Sequence, residues 1–414
     1  MGVGKLKEFR IRRVKFLDAV WMIYLTLMMS FVFKGSQQIY TFCLLCITIL
    51  HIVLTKKTRF KLTWFKGTAW YLVFAIFVNL SRLWSVYDYN GTGIASWVFY
   101  ITAAVFCLNY AFHNNSLRFF ELLTWAGMIF TLVVLITSPI STYCTDEFSG
   151  ITGQYRTWIG EICALLICIN FYFYRYHGKK RRYLILGLLN LITVLASGAR
   201  GALLLVVIIV AYIVIKEKNL NRKALYVLLG VMGAIFLSII IFQNSALYNA
   251  FVTRVLGAIL NDGSTTSVTE RAYFLATAWD LFKLHPILGC GEDAMRGYLS
   301  SIGYWHVTYS HCLYVELLSS YGTIGTLLFI VPSLKMLFAR NKKELVSYLL
   351  PVMLIGFIWS VEYYSFIFIF LMEELQFFDD VHSLKTSERI KEKDTSENRC
   401  EHFVCNFCID KWRG

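Results

Sequence analysis

Charged residues are scarce in this sequence. They make up 16% of the 414 residues, whereas hydrophobic residues make up 57%. A soluble domain carries about 25% charged residues, so this composition excludes the soluble globular class and indicates a protein that crosses a membrane many times. Proline is also rare, with 4 residues. Acidic D-x-D pairs, which could hold a divalent cation, are absent from the predicted outer loops.

The hydrophobic residues are grouped in runs of membrane-spanning length. A membrane helix needs about 20 apolar residues, so the runs predict an all-α, polytopic integral membrane protein of about 12 transmembrane helices. The last two runs share one apolar stretch and can instead form a re-entrant pair. The predicted spans are residues 16–34, 39–54, 68–84, 94–112, 119–138, 157–174, 183–197, 202–215, 224–242, 311–337, 345–360 and 362–372.

The basic residues predict the orientation of these spans. Lysines and arginines are clustered in the N-terminal tail and in the gaps after the second, sixth, eighth and tenth spans, and they are sparse in the other gaps. Because such clusters favour the cytoplasmic side, both termini are predicted to be cytoplasmic. The same asymmetry accounts for the net charge of +14. The expected surroundings are therefore membrane lipids, and no nucleic-acid partner is predicted.

One outer segment, residues 243–310, is much longer than the other outer gaps. Long segments that are not needed as connectors are usually functional. The predicted organisation is a transmembrane domain over residues 1–372, which includes an extracytoplasmic catalytic loop at 243–310. A polar cytoplasmic tail follows over residues 373–414.

Within this loop, the stretch SVTERAYFLATAWDLFKLHP predicts a helix that lies at the membrane surface. Ser267 and Glu270 have the spacing of a capping box. Arg271 would then lie in the first helical turn, where free backbone N–H groups already favour an anion. The helix would present one apolar stripe, made of Ala272, Leu275, Trp279 and Phe282.

Three polar residues, Arg200, Arg271 and His311, are predicted to lie at the outer surface. Each one alone can be explained as an interfacial side chain that reaches toward the headgroups. Together, the two guanidinium groups have the chemistry that binds a diphosphate. His311 can serve as a base or an orienting group near neutral pH. Asp88, in the outer VYDYNGTG loop, is the alternative base.

Two glutamates, Glu161 and Glu316, lie inside predicted spans. Ionisable residues at membrane depth are candidates for a functional role, and Glu316 is included in the predicted catalytic set. The alternative is that each glutamate neutralises a nearby arginine.

The 11 cysteines lie mostly inside apolar runs, where cysteine behaves as a small hydrophobic residue. Only Cys144 and Cys290 are expected in outer loops, and the sequence leaves a disulfide between them open. The tail contains four residues of the types that bind zinc, although free reduced thiols are the favoured interpretation there. These tail residues are Cys400, His402, Cys405 and Cys408.

The order of several short motifs resembles the superfamily of O-antigen ligases and Wzy-type polysaccharide polymerases. The motifs are SGARG at 197–201, TERAYFLATAW around Arg271, HPILGCGED, and HCLYVELLSSYG, in which His311 precedes a leucine-rich helix that reaches Gly322. The resemblance covers about residues 150–335. Cys312 is a departure, since many relatives have asparagine after the histidine.

The resemblance implies a GT-C-like glycosyltransferase of the bacterial cytoplasmic membrane. Its donor would be an oligosaccharide on undecaprenyl diphosphate, and it would polymerise repeat units of a capsule, exopolysaccharide or O-antigen at the outer face. Arg200 and Arg271 would bind the diphosphate without a metal or cofactor. A flippase and a chain-length regulator are the implied protein partners.

Three other functions stay open at this stage. The first is a ligase that moves finished glycan to a lipid or protein acceptor. The second is a flippase or transporter, against which the absence of internal repeats and of polar groups along a central cavity argues. The third is a membrane scaffold, which would leave Arg200 unexplained.

Overall fold

The structure is a computed structural model. It describes residues 3–30, 37–55, 66–87, 94–112, 116–145, 147–152, 155–177, 181–216, 266–338 and 344–358. Within these ranges the secondary structure is helical and no strand occurs. The α-helices are α1 Val3–Ser30, α2 Gln37–Thr55, α3 Lys66–Leu80, α4 Ile94–Phe112, α5 Ser116–Thr137, α6 Arg156–Tyr176, α7 Arg181–Ser197, α8 Arg200–Lys216, α9 Thr266–Leu284, α10 Ala294–Ser301, α11 Leu313–Phe338 and α12 Glu344–Gly356.

The all-α prediction is confirmed for the described part of the chain. Helices occupy the positions of the predicted spans there, while the spans at 224–242 and 362–372 lie outside the described residues. Three helical segments are long and apolar enough to cross a membrane, namely Leu117–Thr137, Arg156–Tyr176 and Leu313–Phe338. The number of about twelve spans and the loop boundary at 243 stay predictions.

Helix α6 lies inside the helical bundle, where it packs against α5, α7, α8 and α12. Its contact with α8 is close because Gly160 has no side chain. A Cβ built there would lie 2.8 Å from the Cβ of Ala202 and 2.8 Å from the Oγ of Ser197. The small residue therefore brings the turn between α7 and α8, where Arg200 begins a helix, against the buried helix.

The two ends of the bundle can be assigned from contacts between α8 and α12. At one end Lys216 donates a hydrogen bond to the Oγ of Ser347. At the other, a Cβ on Gly356 would lie 3.6 Å from Leu205 Cδ1. The helices are thus antiparallel, and the first residue of α8, Arg200, shares an end with the last turn of α12. We call this the site end and the opposite one the basic end.

Helix α11 is broken at Gly322, whose φ of 61° and ψ of −165° are not helical. Two N–H groups after the break, on Thr323 and Ile324, would ordinarily bond to the carbonyls of Ser319 and Ser320. They bond instead to the carbonyls of Pro286 and Ile287, at 2.9 and 3.2 Å.

The carbonyls left free by this break take new donors from the same neighbouring segment. Ser319 and Ser320 accept from the N–H groups of Cys290 and Gly291, at 2.8 and 2.9 Å. A Cβ on Gly322 would lie 2.3 Å from the carbonyl oxygen of Ile287, so glycine is required. Backbone groups of residues 286–291 thus supply the four hydrogen-bond partners that an unbroken helix would have provided itself. We call this pairing the loop–helix clamp.

The predicted surface helix is present as α9, with one correction. It begins at Thr266, so Ser267 lies inside the helix and Arg271 lies in the second turn, beyond the free N–H groups. In the predicted stripe, Ala272, Leu275 and Trp279 are exposed and Phe282 is half-buried. A different apolar stripe packs inward, made of Phe274, Ala278 and Leu281.

The structure does not join Cys144 to Cys290. Both are buried and both are free cysteines. The sulfur of Cys290 points to the carbonyl of Leu281 in α9, at 3.4 Å. The two thiols therefore pack in separate places. The tail cysteines lie outside the described residues.

Candidate functional site

His311 lies on a strained turn directly before α11. Its φ is 60°, in the left-handed region that residues other than glycine rarely occupy. The turn is held by Glu316, whose Oε2 accepts the backbone N–H of Ser310 at 2.8 Å. The Oγ of Ser310 also donates to the carbonyl of Cys312, at 3.0 Å. Such strain persists only where the surroundings enforce it, and it is concentrated at functional sites.

Glu316 therefore acts on the backbone before His311. Its side chain is fully buried at 0% exposure, so it has no open path to a substrate. One carboxylate oxygen, Oε1, finds no hydrogen-bond partner in the described part of the chain. The prediction of a catalytic glutamate stays untested, and the geometry favours a positioning role. The other predicted glutamate, Glu161, lies half-buried on α6.

The imidazole of His311 is neutral at physiological pH. Burial, the positive charge of Arg271 and the neighbouring His306 together lower its pKa to about 4, and burial is the largest cause. The ring packs against Tyr309, with centroids 4.7 Å apart, and against Phe274 at 6.1 Å. A neutral imidazole can accept a proton, as a base for a hydroxyl must.

Arg271 is the cation next to this histidine. Its side chain is exposed, and it makes no hydrogen bond or ion pair with any residue that the structure describes. An arginine presents five donors in a planar fork. Among the described residues, nothing occupies these donors, so Arg271 offers them to an anion close to His311.

Arg200 is half-buried at the first position of α8. Its helix reaches His311 through α12, because the N–H of Leu313 donates to the carbonyl of Phe357 at 2.9 Å. Arg200 and His311 thus lie at the same end of the bundle. The turn before Arg200 is held by Arg156, whose Nη1 donates to the carbonyl of Gly198 at 3.1 Å.

A second group of charged side chains lies near Glu316, and sequence reasoning did not assign it. Arg82 forms a two-point ion pair with Glu292, with Nη2 to Oε1 at 3.0 Å. Asp293 is 2% exposed and has a φ of 51°, and its Oδ1 lies 3.5 Å from the Nη1 of Arg296. These residues join the segment after α3 to the loop–helix clamp.

Asp293 holds its proton far more tightly than an ordinary aspartate. Burial is the largest cause that raises its pKa to about 7, the nearby carboxylates Glu316 and Glu292 act in the same direction, and Arg296 opposes them. This carboxyl therefore keeps its proton to a much higher pH than an exposed aspartate. The signal in the sequence was the run GCGED, where two acidic residues follow a glycine turn on a side with few charges.

Residues 183–330 match the O-antigen ligase family model. The resemblance inferred from the motifs is confirmed at family level over this stretch. A search of curated proteins found no match.

The O-antigen ligase match covers the chain from α7 into α11. It contains Arg200, Arg271, His311 and Glu316, and also the loop–helix clamp. Arg82 lies outside the match although its partner Glu292 lies inside. Asp88, the alternative base, is outside both the match and the described residues. The assignment of these side chains to chemical roles stays a prediction.

Proposed function

We propose that this protein transfers a glycan from a polyprenyl diphosphate donor to a sugar hydroxyl, as a polymerase of lipid-linked repeat units. The O-antigen ligase match and the three apolar helices support a membrane glycosyl-transfer function. The observation that carries the proposal is that Arg271, which has no ion pair among the described residues, lies beside a neutral His311. The proposed location is the outer face of the bacterial cytoplasmic membrane.

In the proposed step the acceptor hydroxyl oxygen attacks the anomeric carbon of the donor sugar. The bond between that carbon and the diphosphate oxygen breaks, and the diphosphate leaves with the electron pair. His311 takes the proton of the hydroxyl. Arg271 and Arg200 stabilise the charge that develops on the diphosphate, which a guanidinium can do through paired charge-assisted hydrogen bonds. The leaving group then needs no proton.

Donor binding would also change the pKa of His311. The positive charge of Arg271 contributes to the low pKa of His311. A bound diphosphate would compensate that charge, and so would raise the pKa of His311 toward its ordinary value. A general base works best when its pKa is near the working pH. His311 would thus become a stronger base only when the donor is in place, which discourages wasteful reactions in its absence.

A ligase is the second candidate, and the description of the matching family favours it. It would share the donor step and differ in the acceptor, which would be a lipid or protein rather than another lipid-linked repeat unit. The two functions separate by product. A polymerase gives a ladder of lengths from lipid-linked units alone, whereas a ligase gives no product until a second acceptor is added.

The test uses purified protein in proteoliposomes with polyprenyl-linked glycans extracted from cells in which the gene is deleted. Product length is measured on gels for the wild type, Arg200→Ala, Arg200→Lys and His311→Ala, at matched protein amounts. We expect Arg200→Ala to lose about a hundredfold in rate, and Arg200→Lys to recover part of it because lysine keeps the charge without the planar fork. His311→Ala should slow transfer and spare donor binding.

Two outcomes would contradict the proposal. Normal polymer from Arg200→Ala at normal abundance would mean that this arginine only reaches toward headgroups. Movement of labelled glycan across the bilayer without any new glycosidic bond would indicate a flippase. The same assay is run with a metal chelator. We expect activity to persist there, because arginines stabilise the charge on the leaving diphosphate.

A further inference from the structure

A series of aromatic rings leads over the outer segment to His311. Tyr273 of α9 stacks on Tyr304, with centroids 5.4 Å apart and planes 20° apart. Tyr304 stacks on Trp305, at 6.2 Å and 28°. Trp305 lies beside His306, at 5.1 Å and 30°. These four rings have nearly parallel planes between neighbours, and we call them the aromatic shelf.

The aromatic shelf connects to the candidate site through Phe274. That ring contacts Tyr304 at 5.9 Å, His306 at 6.0 Å and His311 at 6.1 Å between centroids. Phe274 is 1% exposed, so it forms a buried support beneath both groups. The shelf and the imidazole of His311 therefore rest on one ring.

The loop that carries the shelf is fixed by its backbone. The N–H of Tyr304 donates to the carbonyl of Leu299 at 2.9 Å, and that of Gly303 to the carbonyl of Ser300 at 3.1 Å. These bonds tie the loop to the end of α10. A preorganised surface binds its ligand without first losing conformational freedom.

Three of the four shelf rings are exposed although they are aromatic, and Tyr304 is partly buried. Trp305 is 76% exposed and Tyr273 is 40% exposed. The hydroxyl groups of Tyr273 and Tyr304 and the indole N–H of Trp305 make no hydrogen bond with the described residues. Flat ring faces with free polar edges match the two sides of a sugar, whose C–H groups pack on the negative face of an aromatic ring while its hydroxyls need hydrogen-bond partners.

The shelf is separate from the apolar surface that suits lipid. At 3.6 residues per turn, Leu275 and Trp279 lie on one flank of the buried stripe of α9 and Tyr273 lies on the other. The flank of Leu275 and Trp279 offers apolar groups to a bilayer. The flank of Tyr273 leads instead to two histidines, His306 and His311.

We infer that the aromatic shelf is a saccharide subsite that holds the acceptor glycan, with its reactive hydroxyl directed to His311. This inference rests on the proposed function and adds the place of the acceptor. Neighbouring ring centroids lie 5.1–6.2 Å apart, which is close to the length of one sugar ring. The acceptor would stack along Trp305 and Tyr273, while Arg271 stays available to the donor diphosphate.

The test is a comparison of Trp305→Leu with Trp305→Phe. Leucine keeps apolar area and removes the ring face, while phenylalanine keeps the ring face. We expect Trp305→Leu to raise the KM for the acceptor about tenfold, equivalent to about 1.4 kcal/mol, with kcat little changed. Trp305→Phe should stay within about threefold of the wild type. Trp279→Leu is the matched control, because Trp279 is an exposed tryptophan of the other flank at 46% exposure.

Binding is measured separately from turnover. The probe is the oligosaccharide released by mild acid from the polyprenyl-linked glycans of gene-deleted cells, detected by saturation-transfer NMR on the purified protein. Wild type, His311→Ala and Trp279→Leu should transfer saturation to the sugar, and Trp305→Leu should lose the signal. Equal signals and equal KM values for Trp305→Leu, with His311→Ala inactive, would overturn the subsite and leave the proposed function standing.

A second measurement distinguishes sugar from lipid. In proteoliposomes with brominated phosphatidylcholine, the quenched part of the tryptophan fluorescence should fall in Trp279→Phe and stay unchanged in Trp305→Phe. A fall in Trp305→Phe would place this ring in the bilayer and overturn the inference. If neither turnover nor sugar binding were present in any form of the protein, the proposed function itself would fail.

Discussion

The two ends of the bundle differ in how their arginines are paired. At the basic end, Arg118 pairs with Asp18 at 2.5 Å and with Glu121 at 2.7 Å, and Arg182 pairs with the same Glu121 at 3.0 Å. At the site end, the arginines beside the loop–helix clamp are paired as well, but Arg271 has no ion pair within the described part of the chain. A charge that the protein neutralises itself stabilises the fold, whereas a charge that it leaves uncompensated is available to a ligand.

The carboxylates show the same contrast. At the basic end, Asp18 and Glu121 lie partly exposed, with 17% and 23% of their side-chain surface accessible. At the site end, Glu292, Asp293 and Glu316 are buried. Two of these carboxylates are already paired with Arg82 and Arg296. Arg271 is an exposed cation without an ion pair among the described residues, which favours an anionic substrate at the surface.

The largest expected effect comes from removing Arg271. We expect Arg271→Ala to lower the rate of glycan transfer about a hundredfold to a thousandfold, because a donor to a developing negative charge contributes about 2.7–4 kcal/mol. Thermal unfolding should be unchanged, since the exposed side chain holds no described partner. The rate is measured in proteoliposomes at matched amounts of protein.

Two controls frame that result. Lys283→Ala removes a cation of the same helix that is already paired with Asp280 at 2.6 Å, and it should leave the rate unchanged. Arg118→Ala should cost about 1 kcal/mol of stability, since the pair is partly exposed, and should not alter the rate per folded molecule. A hundredfold rate loss from Arg118→Ala would break the distinction between the two ends.

Gly322→Ala should give the next largest effect, as a loss of about 3 kcal/mol in the free energy of unfolding. The new Cβ would meet the carbonyl of Ile287 at 2.3 Å and would also be strained at a φ of 61°. The measurement is thermal or denaturant unfolding in detergent.

Two other glycines separate the causes of that loss. Gly303 has a φ of 66° and open space around its Cβ position, so Gly303→Ala should show only the backbone strain, about 1 kcal/mol. Gly187 lies in α7 with its closest contact at 3.9 Å, and Gly187→Ala should stabilise the helix slightly. A loss at Gly322 no greater than that at Gly303 would contradict the close packing of the loop–helix clamp.

Asp293→Asn should change how stability depends on pH. Because the pKa of Asp293 is raised to about 7 in the folded protein, the folded state binds the proton more tightly than the unfolded chain. Stability from this group is complete below about pH 4 and is lost as pH rises to about 7. The wild type should thus lose on the order of 4 kcal/mol relative to Asp293→Asn over this range. Unfolding midpoints measured in steps of pH test this, and parallel curves would refute the burial of this carboxyl.

The smallest expected effect is in the pH profile of the reaction. With the pKa of His311 at about 4, the acid limb of kcat/KM should lie far below 6.5, so activity at pH 5.5 should exceed that of an ordinary histidine base about tenfold. The limb of kcat, which reports the donor-bound enzyme, should lie higher, since the diphosphate compensates Arg271. Initial rates between pH 4 and 8 measure both, and coincident limbs near 6.5 would exclude the proposed tuning.

The helices could be predicted because their signal is local. Runs of apolar residues define α2 to α8 closely, and the positions of Arg200 and His311 at helix starts follow from the same runs. The inward face of α9 could not be predicted, because the helix has two apolar stripes. The helical periodicity predicted the stripe that contains Leu275 and Trp279, whereas the stripe that packs onto the protein contains Phe274 and Ala278.

The contacts of the second charged group could not be predicted, because they join segments that are far apart in the sequence. Arg82 and Glu292 are 210 residues apart in the chain. The break in α11 is equally non-local, since a glycine inside an apolar run is compatible with an unbroken helix. Only the partner segment at 286–291 makes the break stable, and no local pattern specifies which segment that is.

The loop–helix clamp also sets an order of events during synthesis. Without residues 286–291, the break at Gly322 would leave two N–H groups and two carbonyls unpaired, each of which would cost several kcal/mol in lipid. The ribosome makes residues 286–291 before α11, so these partners are already available when the helix emerges. We therefore expect α11 to enter a bilayer stably only when residues 286–291 are docked against it.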